Sequence, residues 1–146
     1  MDNVKPITKH ELRTYRSVLE EINELTIEIQ ALYDEATRTT TRLSHTPGRG
    51  SRAKKDLSDH IALIIDLENQ LTEKRAILVA QRVAIEEAIE TLLPDERRVL
   101  RLKYIEGLSW RQIGFRLHYE ERWLFALHSR ALNKLLSRAY STNGNL

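Results

Sequence analysis

The sequence predicts an all-α protein: a long antiparallel helical hairpin, coiled-coil-like, followed by a C-terminal helix-turn-helix domain. Three observations carry this expectation. Only 5 Gly and 3 Pro occur in 146 residues, and the helix formers Leu, Glu, Ala and Arg are frequent. Apolar residues recur at alternating gaps of three and four through the first half. Between residues 92 and 135, two tight breaks separate three short amphipathic stretches.

The first helix is expected over about residues 9–44. Tyr15, Val18, Ile22, Leu25, Ile29, Leu32 and Ala36 follow gaps of 3, 4, 3, 4, 3 and 4, which is a heptad seam. Leu12, Leu19, Ile27 and Tyr33 widen the stripe. Residues 44–55 (SHTPGRGSRAKK) contain Pro47, Gly48 and Gly50 as breakers. Arg49, Arg52, Lys54 and Lys55 make this loop basic, with no acid among residues 42–55. It reads as a solvated turn at a hairpin tip, with a second phosphate contact as the alternative. The second helix, about 56–91, has Leu57, Ile61, Ile64, Leu71, Leu78, Ile85 and Ile89 on a similar period, interrupted by Glu68, Arg75 and Arg82. Each helix is about 50 Å long at roughly 1.5 Å per residue. Stripes wider than one partner can cover predict that a second copy completes a bundle. The alternative is an intramolecular hairpin packed against the head. Residues 1–91 are thus an expected oligomerisation arm.

Residues 92–140 form the expected helix-turn-helix head, and 141–146 a disordered tail. Pro94 suits the first helical position, where its missing N–H has no intrahelical partner. Asp95 and Glu96 set negative charge against the positive end of that helix. Gly107 ends the helix by taking the left-handed conformation, and Ser109 restarts the chain as an N-cap with Gln112 completing a capping box. A short helix to about Leu117, a turn at His118 and Tyr119, and a longer amphipathic helix follow. The expected core is Val99, Leu102 and Ile105, then Ile113 and Leu117, then Trp123, Leu127, Ala131 and Leu135. Gly114 is expected at a close helix approach.

A short helix, a sharp turn and an Arg-rich second helix is the layout of a duplex-DNA reader. Charge agrees with it. Residues 92–146 carry ten Lys/Arg and five Asp/Glu, whereas residues 1–91 carry thirteen and sixteen. The candidate DNA-binding set is Arg97, Arg98, Arg111, Gln112, Arg116, Glu121, Arg122, Phe125, Ala126, Ser129 and Arg130. Arg122 can bridge guanine O6 and N7, Glu121 can accept from cytosine N4, and Phe125 and Ala126 can touch thymine methyls. Arg97, Arg98, Arg111 and Arg116 are candidate phosphate clamps, which position without specifying.

Other functions find little footing. The chain has no cysteine, which removes disulfides and thiolate metal sites. His10, His45, His60, His118 and His128 show no metal-ligand spacing, and the Gly48–Gly50 pair lacks a phosphate-loop signature. No catalytic, metal or cofactor site is expected, and His128 reads as a helix-surface or interface group. No segment is apolar enough to span a membrane, and no secretory signal is legible, so a cytoplasmic, nucleoid-associated protein is expected.

The segment LLPDERRVLRLKYIEGLSWRQIGFRL resembles the promoter-reading C-terminal region of bacterial sigma factors. Its continuation YEERWLFALHSRALNKL, with the upstream long helix, basic loop and DLSDHIALIIDLENQL, is similar to phage-encoded RinA/ArpU-type transcriptional activators over roughly residues 40–138. That resemblance implies a DNA-binding activator of late or transfer genes of a phage or mobile element, acting with host RNA polymerase in a bacterial host. It also implies that Ser109 opens the first motif helix and that the recognition surface begins at Glu121 and Arg122. Two positions depart from the pattern: His118 stands where the turn usually has Gly, and Glu120 replaces the usual Ser or Thr cap. Two alternatives stand beside this reading: a small-terminase-like DNA-packaging subunit, and an RNA-polymerase-binding adaptor that does not contact DNA.

Overall fold

The computed structural model describes residues 6–45 and 50–143. Its helices are α1 (Lys9–His45), α2 (Gly50–Ile89), α3 (Pro94–Leu100), α4 (Trp110–Leu117) and α5 (Glu121–Asn143), with a π-helical turn, Arg101–Ile105, continuing α3. No strand occurs among the described residues. The all-α expectation therefore holds. Pro47, Gly48 and Arg49 of the expected loop lie outside the described residues. α2 begins at Gly50 rather than near 56, so Arg52, Lys54 and Lys55 are helical. α5 continues through Asn143, past the expected start of the tail, and residues 144–146 lie outside the described residues.

The chain divides into two compact units, Leu19–Ile77 and Met1–Val18 together with Leu78–Leu146. In the Leu19–Ile77 unit, α1 and α2 run antiparallel. Lys74 Nζ pairs with Glu21 at 2.5 Å, and nearer the hairpin turn the Tyr33 hydroxyl donates to Glu68 Oε1 at 2.6 Å. Ile22, Ile29, Ala36 and Thr39 of α1 are buried, as are Ile64, Leu67 and Leu71 of α2. The α1 seam is the expected one, with Leu25 and Leu32 half-buried between the buried positions, while Ile27 and Tyr33 face outward.

The α2 seam differs from expectation. Leu57, His60, Ile64, Leu67, Leu71 and Lys74 are its half-buried or buried positions, on strict gaps of three and four. Ile61, expected on the seam, is 47% exposed. Glu68, Arg75 and Arg82 lie off the seam on exposed positions, so they do not interrupt it. Polar His60 and Lys74 occupy seam positions instead, and hydropathy alone steers away from them.

The second unit holds the head, and its core draws on both arm helices. Ile7, Leu12 and Tyr15 from the start of the chain and Ile85, Ala88, Ile89 and Leu92 from the end of α2 pack with Leu100, Tyr104, Ala131 and Leu135. At α1's start the Thr8 N–H donates to Glu11 Oε2 at 2.8 Å and the Glu11 N–H to Thr8 Oγ1 at 3.2 Å, a reciprocal cap. A second cluster, Val99, Leu102, Ile113, Leu124 and Leu127, binds α3 and its π turn to α4 and α5, flanked by Leu108, Trp110, Leu117 and Tyr119. Leu100 and Tyr104 belong to the first cluster, Val99 and Leu102 to the second.

Candidate nucleic-acid interface

The breaks that define the head are built as their residues dictate. Glu96 Oε2 accepts the Leu93 N–H at 3.4 Å at the start of α3, with Pro94 in the first turn. Gly107 has φ +73°, and a β-carbon there would run into the Arg16 guanidinium, whose Nη1 donates to the Ile105 carbonyl at 3.3 Å. At α4, Ser109 Oγ accepts the Gln112 N–H at 3.2 Å and Gln112 Oε1 accepts the Ser109 N–H at 2.9 Å, the expected capping box. His118 closes α4 at φ 57°, ψ 40°, in the left-handed region. The Tyr119 N–H donates back to the Gly114 carbonyl at 3.1 Å. A β-carbon at Gly114 would sit 3.0 Å from the Tyr119 carbonyl oxygen and 3.3 Å from Leu124 Cδ1, so the turn folds tightly over that glycine.

α5 is then divided by its own period. Leu124, Leu127, His128, Ala131 and Leu135 are buried, on the three-and-four spacing of one helical face. Glu121, Arg122, Phe125, Ser129 and Arg130 are exposed and Ala126 is half-buried. Arg122, Phe125, Ala126 and Ser129 share one face by the same spacing. The start of α5 is thus open, while its later turns are held by the arm residues of its own unit.

Trp123 is not the core plug that the sequence suggests. It is 40% exposed, and Leu124 takes the buried place. Spacing of a constant four, as in Trp123, Leu127, Ala131 and Leu135, drifts around a 3.6-residue helix, whereas the observed set does not. Exposed Trp123 carries the Arg130 guanidinium 5.2 Å above its ring. Phe125 meets Trp110 edge-on at 5.2 Å, which fixes an exposed aromatic of α5 against the first residue of α4.

The expected phosphate clamps divide in two. Arg97 reaches Glu90 at 3.5 Å and Arg116 reaches Glu106 at 2.8 Å, so both are engaged within the head. Arg98, Arg111 and Arg122 are exposed without an ion-pair partner among the described residues. Arg111, Gln112 and Arg116 line one shallow depression on α4 together with Leu108 and Phe115. Phe115, which sequence reasoning left aside, is 84% exposed, the most open large apolar residue among those described. Arg101, also unremarked in the sequence, pairs with Glu86 at 2.6 Å and Glu90 at 3.3 Å and binds the π turn to the end of α2.

His128 is buried, not a surface group. Its Nε2 lies 2.7 Å from the Tyr104 hydroxyl, and Trp110 stands edge-on to its ring at 4.8 Å. Burial, aided by the charges of Lys9, Lys103 and Arg13, lowers its pKa to about 4. At neutral pH it is an uncharged member of the packing. Glu96 is 1% exposed and holds Lys134 Nζ at 2.7 Å and 3.0 Å, which ties the first turn of α3 to α5.

Residues 82–141, which contain this helix-turn-helix head, match the family described as Sigma-70, region 4. The chain is similar to the RNA polymerase sigma factor FliA of Escherichia coli K12, at 36% identity over 88 residues, covering 58% of this chain and 36% of that protein. The FliA proteins of Escherichia coli O6:H1 and O157:H7 match with the same figures. The chain thus spans 36% of the length of the curated relatives it matches. No solved structure matches it. Among the described residues, no helix is long and apolar enough to cross a membrane.

Proposed function

We propose that the protein is a non-enzymatic, cytoplasmic regulator of transcription that binds a specific duplex DNA site through α5 and acts beside host RNA polymerase. The observation that carries this reading is the division of α5. Arg122, Phe125, Ser129 and Arg130 stand open at its start, while Leu124, Leu127 and Ala131 lock its opposite face into a sigma-region-4-like head. Arg98 and Arg111, exposed and without an ion-pair partner among the described residues, suit phosphate contacts on either side. The similarity to RinA/ArpU-type activators supports a role at late or transfer genes of a phage or mobile element, with the protein associated with the nucleoid.

The arm serves as an oligomerisation element in this proposal. Ile61, Leu63, Ile65 and Ile77 of α2 lie off the seam and are 44–52% exposed. A helix apolar on several sides is normally covered, and a second hairpin is the natural cover. Light scattering separates the readings: a dimer or tetramer fits a regulator, and a ring of eight or more chains fits a packaging subunit. Exposed Phe115 favours one further reading, in which α4 presents a contact to RNA polymerase.

The test is selection of bound duplexes from a random pool by the full chain. The expected outcome is an enriched site bound about 10³-fold or more above random duplex at physiological salt. Joint Arg122→Ala and Arg130→Ala substitution removes that preference while leaving helicity intact. A pool with no enriched sequence would remove the assignment.

A further inference from the structure

The Leu19–Ile77 unit has an uneven distribution of charge that the head's function does not use. Residues 36–45 and 50–55 contain five Lys/Arg and no Asp/Glu, while residues 19–35 and 56–77 contain two Lys/Arg and eleven Asp/Glu. Arg38 and Arg42 stand on the last turns of α1, and Arg52, Lys54 and Lys55 on the first turns of α2. All five are exposed. Arg38 pairs with Glu35 at 3.2 Å, whereas Arg42, Arg52, Lys54 and Lys55 have no ion-pair partner among the described residues. α2 carries no acid in its first turn. Arg52 and Lys54 therefore face the positive end of its dipole, where folding alone favours carboxylates. A solvated hairpin end needs no such arrangement.

We propose that the basic last turns of α1 and first turns of α2, carrying Arg38, Arg42, Arg52, Lys54 and Lys55, are a second DNA contact, gripping the phosphate backbone of a duplex without reading its bases. The chemistry of the patch selects this partner. Its described apolar residues, Ala36, Leu43 and Ala53, are buried or half-buried in the seam, so it lacks the exposed apolar face that a membrane surface requires. Residues 36–55 contain no Phe, Tyr or Trp on which single-stranded bases could stack. Thr37, Thr39, Thr40 and Thr41 donate their hydroxyls to carbonyls four residues back, at 2.9, 3.0, 2.9 and 3.0 Å. The hydrogen-bonding capacity left at these helix ends is therefore dominated by Arg and Lys cations, which suit phosphates.

The test uses the full chain with Arg42→Gln, Arg52→Gln, Lys54→Gln and Lys55→Gln together, compared with the wild type and with the Arg122→Ala, Arg130→Ala head variant. Binding to a random-sequence 30-bp duplex is followed by fluorescence anisotropy from 50 to 200 mM salt. Four lost phosphate contacts make the log–log salt slope shallower by about 3 to 4, in the wild-type head and in the head variant alike. Circular dichroism should show undiminished helix, since glutamine is a good helix former and relieves charge at the α2 start. An unchanged slope overturns the proposal. So does an unchanged duplex slope accompanied by weaker binding to phosphatidylserine vesicles, which would assign the patch to a membrane. Loss of site preference in the head variant with the tip effect intact tests the head alone, so the two readings fail separately.

Discussion

Removing Lys134 tests how α5 is held against α3. Lys134 Nζ lies 2.7 and 3.0 Å from the two oxygens of Glu96, whose side chain is 2% exposed, while the lysine side chain is 45% exposed. Breaking a fully buried pair costs about 3–5 kcal/mol, and an exposed pair is worth about 0.2–1 kcal/mol. One partner here is buried and the other is half in water, so Lys134→Met should cost about 2 kcal/mol. Most of that cost comes from a carboxylate stranded in the interior, where the Leu93 N–H at 3.4 Å is its remaining donor among the described residues. For a chain of this size that corresponds to a fall in Tm of roughly 5–8 °C. Combining Glu96→Leu with Lys134→Met should recover most of the loss, because neither charge is then buried alone. The assay is thermal and urea unfolding of the wild type, both single variants and the double variant. A double-mutant coupling below about 0.5 kcal/mol, the usual scatter for independent sites, would refute the buried-pair reasoning. It would also weaken the claim that α3's first turn positions α5.

Gly107→Ala should destabilise the head by about 1–3 kcal/mol, because φ +73° and the Arg16 guanidinium both oppose a side chain; an unchanged urea midpoint would contradict this. His118→Gly should raise stability by up to about 1 kcal/mol, since the native residue sits at φ 57° and glycine relieves that strain at some entropic cost; a lower Tm would count against it. His128 has its pKa lowered to about 4 by burial and by Lys9, Lys103 and Arg13. The unfolded chain takes up that proton near pH 6.5 and the folded one only near 4. The contribution of His128 is therefore present above about pH 6.5 and is lost as pH falls toward 4. Titration of its ring by NMR should show no inflection above pH 5, and an inflection near 6.5 would disprove the burial argument.

Much of the head is legible because its punctuation is local. Pro94, Gly107, and Ser109 with Gln112 each act through backbone groups within a few residues, so they read directly from sequence. The same holds for the α1 seam, where Tyr15 to Ala36 follow one period without exception. What the sequence conceals depends on the third dimension. The choice between Trp123 and Leu124 turns on a drift of one residue, and both side chains are apolar enough to take the buried place. The α2 seam runs through His60 and Lys74 because its period, not its polarity, sets which positions meet α1. His128 is buried because Tyr104 and Trp110 surround it, from 24 and 18 positions earlier in the chain. Of the candidate interface, the face of α5 was open to inspection in the sequence. The diversion of Arg97 and Arg116 into ion pairs was not, because Glu90 and Glu106 come within reach only on folding.

The most direct measurement is amide chemical-shift mapping of the full chain on titration with its selected duplex. The largest changes should fall on residues 121–130 of α5, with smaller ones at Arg98 and Arg111, and they should vanish when Arg122 and Arg130 are alanine. Shifts confined to the surroundings of Phe115, or none at all with a saturating duplex, would contradict a reading helix at α5.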